Sequence, residues 1–268
     1  EKEFSNYHKN KYSLTVSNGS VALEIALKSL NLKKTDSILV SPRSFIISAS
    51  CVLNLGLRPI FADVDDNGNL SIEGIKKAYT KNVKAIIVVH LNGLPCDLDP
   101  ILKFVKKNKI FLIEDCSQAH GAKIGNRYVG SFGDIAVWSF CNDKIINTLG
   151  EGGMLSTNNK NIYEKAWSFR DCGKNLRSVK KINNKNYKFK WLHDFNGSNY
   201  RLTEIQAAVG NYQLQKLNGW VKKRNLYAYK IKKILKSFHF VSTFRDKKGY
   251  LNSYYRLYVK INNEFLSE

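Results

Sequence analysis

From Val21 to Phe140 the chain alternates two kinds of segment, and this alternation limits the fold more than any other feature. The runs AIIVV (85–89), FLIED (111–115) and IAVWSF (135–140) are short, rich in β-branched residues and almost unbroken in apolar character. Strands buried on both faces read this way, whereas half-wet strands alternate. Between such runs, SVALEIALKSL, SIEGIKKAY and DPILKFVKKN carry apolar residues at helical spacing. DSILVS, RPIFADV, VKAIIVVH and KIFLIED add strands, SFIISASCVLNLG reads as a buried helix ending at Gly56, and Ser71 caps SIEGIKKAY. The pattern predicts an α/β domain with a mostly parallel sheet and helices on both faces.

Beyond Asn161 the pattern turns helical around IYEKAWSFRD, followed by a polar, lysine-rich insertion at about 175–194. RLTEIQAAVGNYQLQKLNGW then reads as an amphipathic helix with Leu202, Ile205, Ala208, Val209, Tyr212 and Leu217 on its apolar face. A second helix over 221–237 is expected to precede the strands of another domain. Met154 is the sole methionine and the chain stops just after a strand-like YYRLYVKI, so the expectation is a chain incomplete at both ends.

Hydrophobic residues make up 43% of the 268, enough to bury a sizeable core and to argue against disorder. No apolar run reaches the roughly 18–20 residues of a membrane helix, and EKEFSNYHKNKY lacks the apolar centre of a signal peptide. Five scattered cysteines with no C-x-x-C pair speak against a disulfide framework or zinc site and for a reducing cytoplasm. Net charge is +21, but it comes from 34 Lys against 9 Arg in short clusters such as KKINNKNYKFK. Nucleic-acid surfaces lean on arginine, so the expected partner is a small anion, with no nucleic acid and no membrane.

In parallel sheets, ligands sit beyond the carboxyl ends of the strands. That rule selects Asp115 after KIFLIE, Ser139 and Lys144 at or beyond IAVWSF, His90 after VKAIIVV, Phe45 after SILVS, and Gly19-Ser20 opening the helix SVALEIAL. Gly19-Ser20 is either a phosphate seat, with outward amides and the helix dipole favouring an anion, or simple capping by Asn18 or Ser20. Asp115 is either the partner of a cationic ring nitrogen or a helix cap. Lys144 is either a Schiff-base amine or one more solvated lysine. His90 and His120 read as packed, hydrogen-bonded polar residues, and Arg201 as structural. Together, a phosphate seat, an aromatic ring, a carboxylate and a lysine in one crevice match the needs of pyridoxal 5'-phosphate (PLP).

VSNGSVALEIAL, SPRSFIISAS, FADVD, VVHLNGLPCDLDPI, IEDCSQAHGA, GSFGDIAVWSF, CNDKIINTLGEGGMLST, FRDCG and SNYRLTEIQAAVGNYQLQKL follow one another in an order that resembles the DegT/DnrJ/EryC1/StrS family of PLP-dependent sugar aminotransferases. The resemblance implies a three-layer fold-type I PLP-transferase large domain with a mostly parallel mixed sheet over 1–218, lacking an N-terminal segment. Residues 219–268 would begin a truncated, smaller C-terminal α+β domain. It implies Lys144 as the Schiff-base lysine, Asp115 on the pyridinium nitrogen, Gln118 on the ring hydroxyl oxygen, and Gly19, Ser20 and Ser139 on the phosphate. Phe45 is the stacking aromatic, with Ile46 as the rival register. Asn199 would reach the partner subunit's phosphate across a homodimer with shared active sites. The implied reaction transfers an amino group from an amino-acid donor, expected to be glutamate, to a nucleotide-linked keto-sugar, in amino-sugar and lipopolysaccharide-type surface polysaccharide biosynthesis. Family members with histidine in place of the lysine are dehydratases, so Lys144 favours transamination. The competing expectation is a PLP-binding regulatory or inactive fragment of the same fold. A dehydrogenase is disfavoured because G-x-G-x-x-G is missing.

Overall fold

The structure, a computed structural model, describes residues 1–181, 192–244, 246–262 and 264. The core of the lysine-rich insertion, 182–191, lies outside the described residues. The chain begins with helix α1 (Lys2–His8), strand β1 (Tyr12–Val16), α2 (Gly19–Lys28), β2 (Ser37–Val40), α3 (Ile47–Asn54) and β3 (Arg58–Phe61). It continues through α4 (Ile72–Ala78), β4 (Val83–Val89), α5 (Leu98–Asn108), β5 (Phe111–Asp115) and a small hairpin of β6 (Lys123–Ile124) and β7 (Arg127–Tyr128). Then come β8 (Ile135–Ser139), β9 (Gly153–Thr157), α6 (Lys160–Arg170), α7 (Leu176–Lys181) and the long α8 (Glu204–Leu235). Three short strands follow: β10 (Val241–Thr243), β11 (Tyr250–Leu251) and β12 (Val259–Ile261).

Seven strands form one mixed sheet in the order β1-β9-β8-β5-β4-β2-β3. The run β8-β5-β4-β2-β3 is parallel, and β9 joins β1 and β8 antiparallel. The two-residue period of a strand sorts side chains between faces. Ile87, Ile113 and Val137 point into a core shared with α2, α3 and α6. Ile86, Val88 and Leu112 pack with α4 and α5 on the opposite face. Ala136, Trp138 and Met154 meet Phe4 of α1 and Leu214, Leu217 and Val221 of α8. The result is the three-layer α/β sandwich that the apolar runs predict.

Helix starts follow local chemistry. Asn18 accepts the Val21 N–H and opens α2, and Ser71 accepts the Gly74 N–H and opens α4. Thr203 and Gln206 form a reciprocal capping box at the start of α8.

Two expectations are corrected at the C-terminal end. The helices expected on either side of residue 220 are one continuous 32-residue helix, α8. No proline interrupts it, and its two glycines, Gly210 and Gly219, cost only about 1 kcal/mol each against alanine. Second, the apolar face expected for its first half is buried only at its far end. Ile205 is 73% and Tyr212 60% exposed and Ala208 is exposed too, while Leu217 of that face is buried along with Leu214, Val221 and Ala228. Among the described residues, no helix is long and apolar enough to cross a membrane.

Candidate active site

Beyond the carboxyl ends of β2, β5 and β8 lies a cavity of about 930 Å³. Seven of the eight residues expected at a cofactor line it: Gly19, Ser20, Phe45, Asp115, Gln118, Ser139 and Lys144. Ile46, the rival to Phe45, does not. Asn199 is the eighth. It is exposed on the segment before α8, bridged to Asp171, and does not line this chain's cavity.

The register of the sheet builds one wall. Gly153, the first residue of β9, pairs with Val16 at the end of β1 and with Ser139 at the end of β8. This brings the start of α2 against Ser139. The first four N–H groups of a helix have no partner within it. Asn18 takes the Val21 and Ala22 N–H groups through its side chain and carbonyl, so capping and an anion seat are compatible: Gly19 and Ser20, whose N–H groups have no partner within the helix, line the cavity.

Asp115 ends β5 and is 5% exposed. Its Oδ1 accepts the Ser117 N–H at 3.0 Å, and Ser48 Oγ stands 3.5 Å from Oδ2. Burial pushes its carboxyl above the ordinary range, against the opposing pull of Ser117, His90 and Lys144. A desolvated carboxylate with a loosely held oxygen fits a cationic ring nitrogen, which would restore its ionised form. Gln118 accepts the Asn92 N–H on Oε1 at 2.7 Å, which leaves its amide NH₂ as the free donor. That donor suits a phenolate-type ring oxygen. These features fit PLP as the group the cavity would hold.

Below Asp115 a buried network stiffens the strand ends. Glu114 accepts N–H groups from Gly130, Phe132 and Gly133 and pairs with His90 Nε2 at 3.1 Å. Burial raises the Glu114 carboxyl, but His90 and the Gly133 and Gly130 amides outweigh it and hold it below the ordinary range. Cys96 donates its N–H to His90 Nδ1, which puts the imidazole proton on Nε2. His90, Glu114 and Cys116 have metal-type atoms within 4.8 Å of one another, yet their hydrogen bonds commit His90 and Glu114 to the protein. His90 is the packed, hydrogen-bonded residue expected. His120 is equally buried, but neither of its ring nitrogens makes a well-formed hydrogen bond. Arg201 pairs with Asp171 at 2.7 Å, the structural role expected of it.

Lys144 sits on the loop that joins β8 to β9. The loop turns at Cys141–Lys144, where the Lys144 N–H meets the Cys141 carbonyl at 3.0 Å. Phe140 accepts from Thr148 and donates to Gly152, and Gln213 of α8 accepts the Asn147 N–H. The lysine side chain is 14% exposed, so it turns into the cavity rather than toward solvent. Asp143, Tyr255, Arg43, Arg256 and Tyr258 also line the cavity, and sequence reasoning missed all five. Asp143, adjacent to the lysine, and Arg43, just past the end of β2, had local signals. Tyr255, Arg256 and Tyr258 lie more than a hundred residues away along the chain.

Comparison with known proteins agrees with this geometry. The model of the DegT/DnrJ/EryC1/StrS aminotransferase family matches residues 1–268. A GDP-perosamine synthase of Escherichia coli O157:H7 is 35% identical over 260 residues, covering 97% of this chain and 68% of that protein. The X-ray structure of the aminotransferase from Psychrobacter cryohalolentis superposes with a TM-score of 0.96 at 39% identity, over 100% of this chain and 70% of that one. An E. coli GDP-4-keto-6-deoxy-D-mannose-3-dehydratase with bound hydrated PLP superposes with a TM-score of 0.91 at 28% identity, over 99% of this chain and 71% of that one.

Proposed function

This chain belongs to the DegT/DnrJ/EryC1/StrS aminotransferase family, and from that premise we propose that it moves an amino group from an amino acid, glutamate by preference, to a nucleotide-linked keto-sugar. Its relatives include nucleotide-sugar aminotransferases. The observation that carries the reading is the convergence of Lys144, Asp115, Gln118, Ser139 and the start of α2 on one cavity. In this proposal Gly19, Ser20 and Ser139 hold the phosphate of PLP, Asp115 faces its ring nitrogen, Gln118 donates to its ring oxygen, Phe45 lies against its face and Lys144 is the covalent anchor. Bound there, PLP supplies an electron sink that lets the α-hydrogen of an amino acid leave as a proton.

Lys144 Nζ, once free, takes that proton from the donor's α-carbon in the first half-reaction and delivers one to the sugar carbon in the second. Asp115 would stay ionised against the cationic ring nitrogen. Arg43 and Arg256 supply fixed positive charge on the cavity wall for the donor carboxylate or the substrate diphosphate.

The exposed Ile205 and Tyr212 on α8, and the exposed Phe45 and Ile46, support a homodimer in which Asn199 enters the partner's site. Five free cysteines suit a reducing cytoplasm. Residues 219–268 are proposed as the start of a smaller domain, and surface polysaccharide synthesis as the setting.

The test is direct. Recombinant chain loaded with PLP should show a visible band that borohydride bleaches, with the trapped adduct mapped to Lys144. It should also convert GDP-, UDP- or dTDP-linked keto-sugars when glutamate is supplied. An adduct that survives Lys144→Ala would overturn the lysine assignment.

A further inference from the structure

Tyr255 enters the crevice from the far end of the chain. Lys144 Nζ donates to its hydroxyl at 3.3 Å, and that hydroxyl donates in turn to Asp143. Asp143 Oδ1 lies 3.3 Å from Nζ and also receives the Cys141 thiol at 2.8 Å. Nζ further stands 4.7 Å from the centre of the Tyr255 ring. An ammonium can only donate. The phenol must therefore accept from Nζ and spend its own proton on the carboxylate, which fixes the direction of both bonds.

The tyrosine is not a loose tail. Ser253 donates its N–H to the Gly93 carbonyl at 3.0 Å, and Arg256 donates to the Asn92 carbonyl at 3.3 Å. Arg224 of α8 holds the Tyr254 carbonyl at 2.9 Å. The same Asn92 donates its N–H to Gln118. Tyr255 is thus hooked to the turn that orients another cavity residue.

A lysine side chain has four rotatable bonds and loses much rotamer entropy when held in one place. A lysine that alternates between covalent anchor and free base needs something to keep its nitrogen in the crevice while it is free. We propose that Tyr255 is a positioning residue for Lys144: its hydroxyl, tethered by Asp143, holds Nζ on the cavity side of the loop between β8 and β9 whenever that nitrogen carries no covalent bond to a ligand. The inference deepens the reading of Lys144 above and rests on it for its catalytic meaning.

The charged and titratable groups around Nζ are Asp143 and Cys141 on its own loop, Tyr255 on the C-terminal segment, and Asp115 and His120 from the β5 side. Arg256 stands behind Asp143 at 4.0 Å. Burial favours the neutral amine, but Tyr255, Cys141 and Asp143 outweigh it and favour the ammonium. Removing the tether should therefore free the amine at lower pH.

The experiment uses the full chain freed of cofactor. Lys144 is labelled with acetic anhydride across a pH series, and the modified peptide is counted by mass spectrometry. Tyr255→Phe keeps the ring and removes only the hydroxyl; Asp143→Asn removes the tether's charge and decides the matter if the first variant does not fold. In both variants the labelling midpoint should fall, making Lys144 about tenfold more reactive at mildly alkaline pH, the effect of a one-unit shift. With PLP, donor and keto-sugar, Tyr255→Phe should lower kcat at least tenfold and leave KM for the donor within twofold. A labelling profile unchanged in both variants overturns the tether. A shifted profile in a chain that transfers no amino group keeps the tether and rejects the transaminase reading.

Discussion

Gly19 and Ser139 stand so close that a methyl group added to Gly19 would lie 2.7 Å from the Ser139 Cβ. Real side-chain carbons do not approach so nearly, so the start of α2 touches the end of β8 only because residue 19 has none. The contact brings the amides of α2 and the Ser139 hydroxyl to one spot. Gly19→Ala should push the helix away and weaken PLP binding about tenfold, roughly 1.4 kcal/mol, without loss of helix content. Absorbance titration and circular dichroism check the two halves of this expectation.

Asp115→Asn should have opposite effects on the empty and loaded protein. The Asp115 pKa is raised in the fold by burial. A raised carboxyl binds more protons folded than unfolded, so its contribution to stability is lost as pH climbs through the carboxylate range. At neutral pH the asparagine variant should therefore melt higher than the parent when cofactor-free. It should also bind PLP about 10- to 100-fold less tightly, because a charge-assisted hydrogen bond worth roughly 1.5–3 kcal/mol is gone. Thermal melts with and without PLP separate the two.

Glu114→Ala should be far more damaging than its distance from the chemistry suggests. It strands the half-buried N–H groups of Phe132 and Gly133, the buried N–H of Gly130 and the fully buried His90 imidazole. Breaking a buried charged network from one side costs about 3–5 kcal/mol. Urea unfolding at neutral pH measures it.

Acid should unfold the chain early. Burial holds both His8 and His120 down at about 3, so neither charges in the fold until well below 6.5. The unfolded chain takes up those protons below about 6.5, so stability falls from there toward 3, by roughly 1.4 kcal/mol per pH unit for each histidine. His8 packs among the rings of Phe4, Tyr7, Tyr128 and Trp138. His8→Phe keeps a ring there and should reduce the two-histidine slope by half, as read from urea midpoints across that range.

Ile205→Glu tests the proposed dimer. Ile205 lies 73% exposed on a helix face that the described residues do not cover. A charge there should turn a dimer into a monomer by sedimentation while leaving the melting of the isolated chain nearly unchanged, since surface changes usually cost under about 0.5 kcal/mol.

The five parallel strands, the helices α2 to α6 and seven of the cavity-lining residues were legible in the sequence because their signals are local, whereas the antiparallel pair β1 and β9 was not read as strand. Period-two and period-3.6 burial, a cap at Asn18 or Ser71, and polar residues just past strand ends are all written within a few positions. The continuity of α8 was not legible: periodicity on either side of Gly219 looks alike whether the helix breaks or runs on. Nor was the fate of its first apolar face, since a hydrophobic stripe does not say whether its cover is the same chain or another. Lys144 stood out through its neighbours in sequence, but its partner Tyr255 lies 111 residues further on. Only the folding of the C-terminal segment over the turn at Asn92 and Gly93 brings that hydroxyl to the lysine, and a contact made by chain closure leaves no spacing rule behind it.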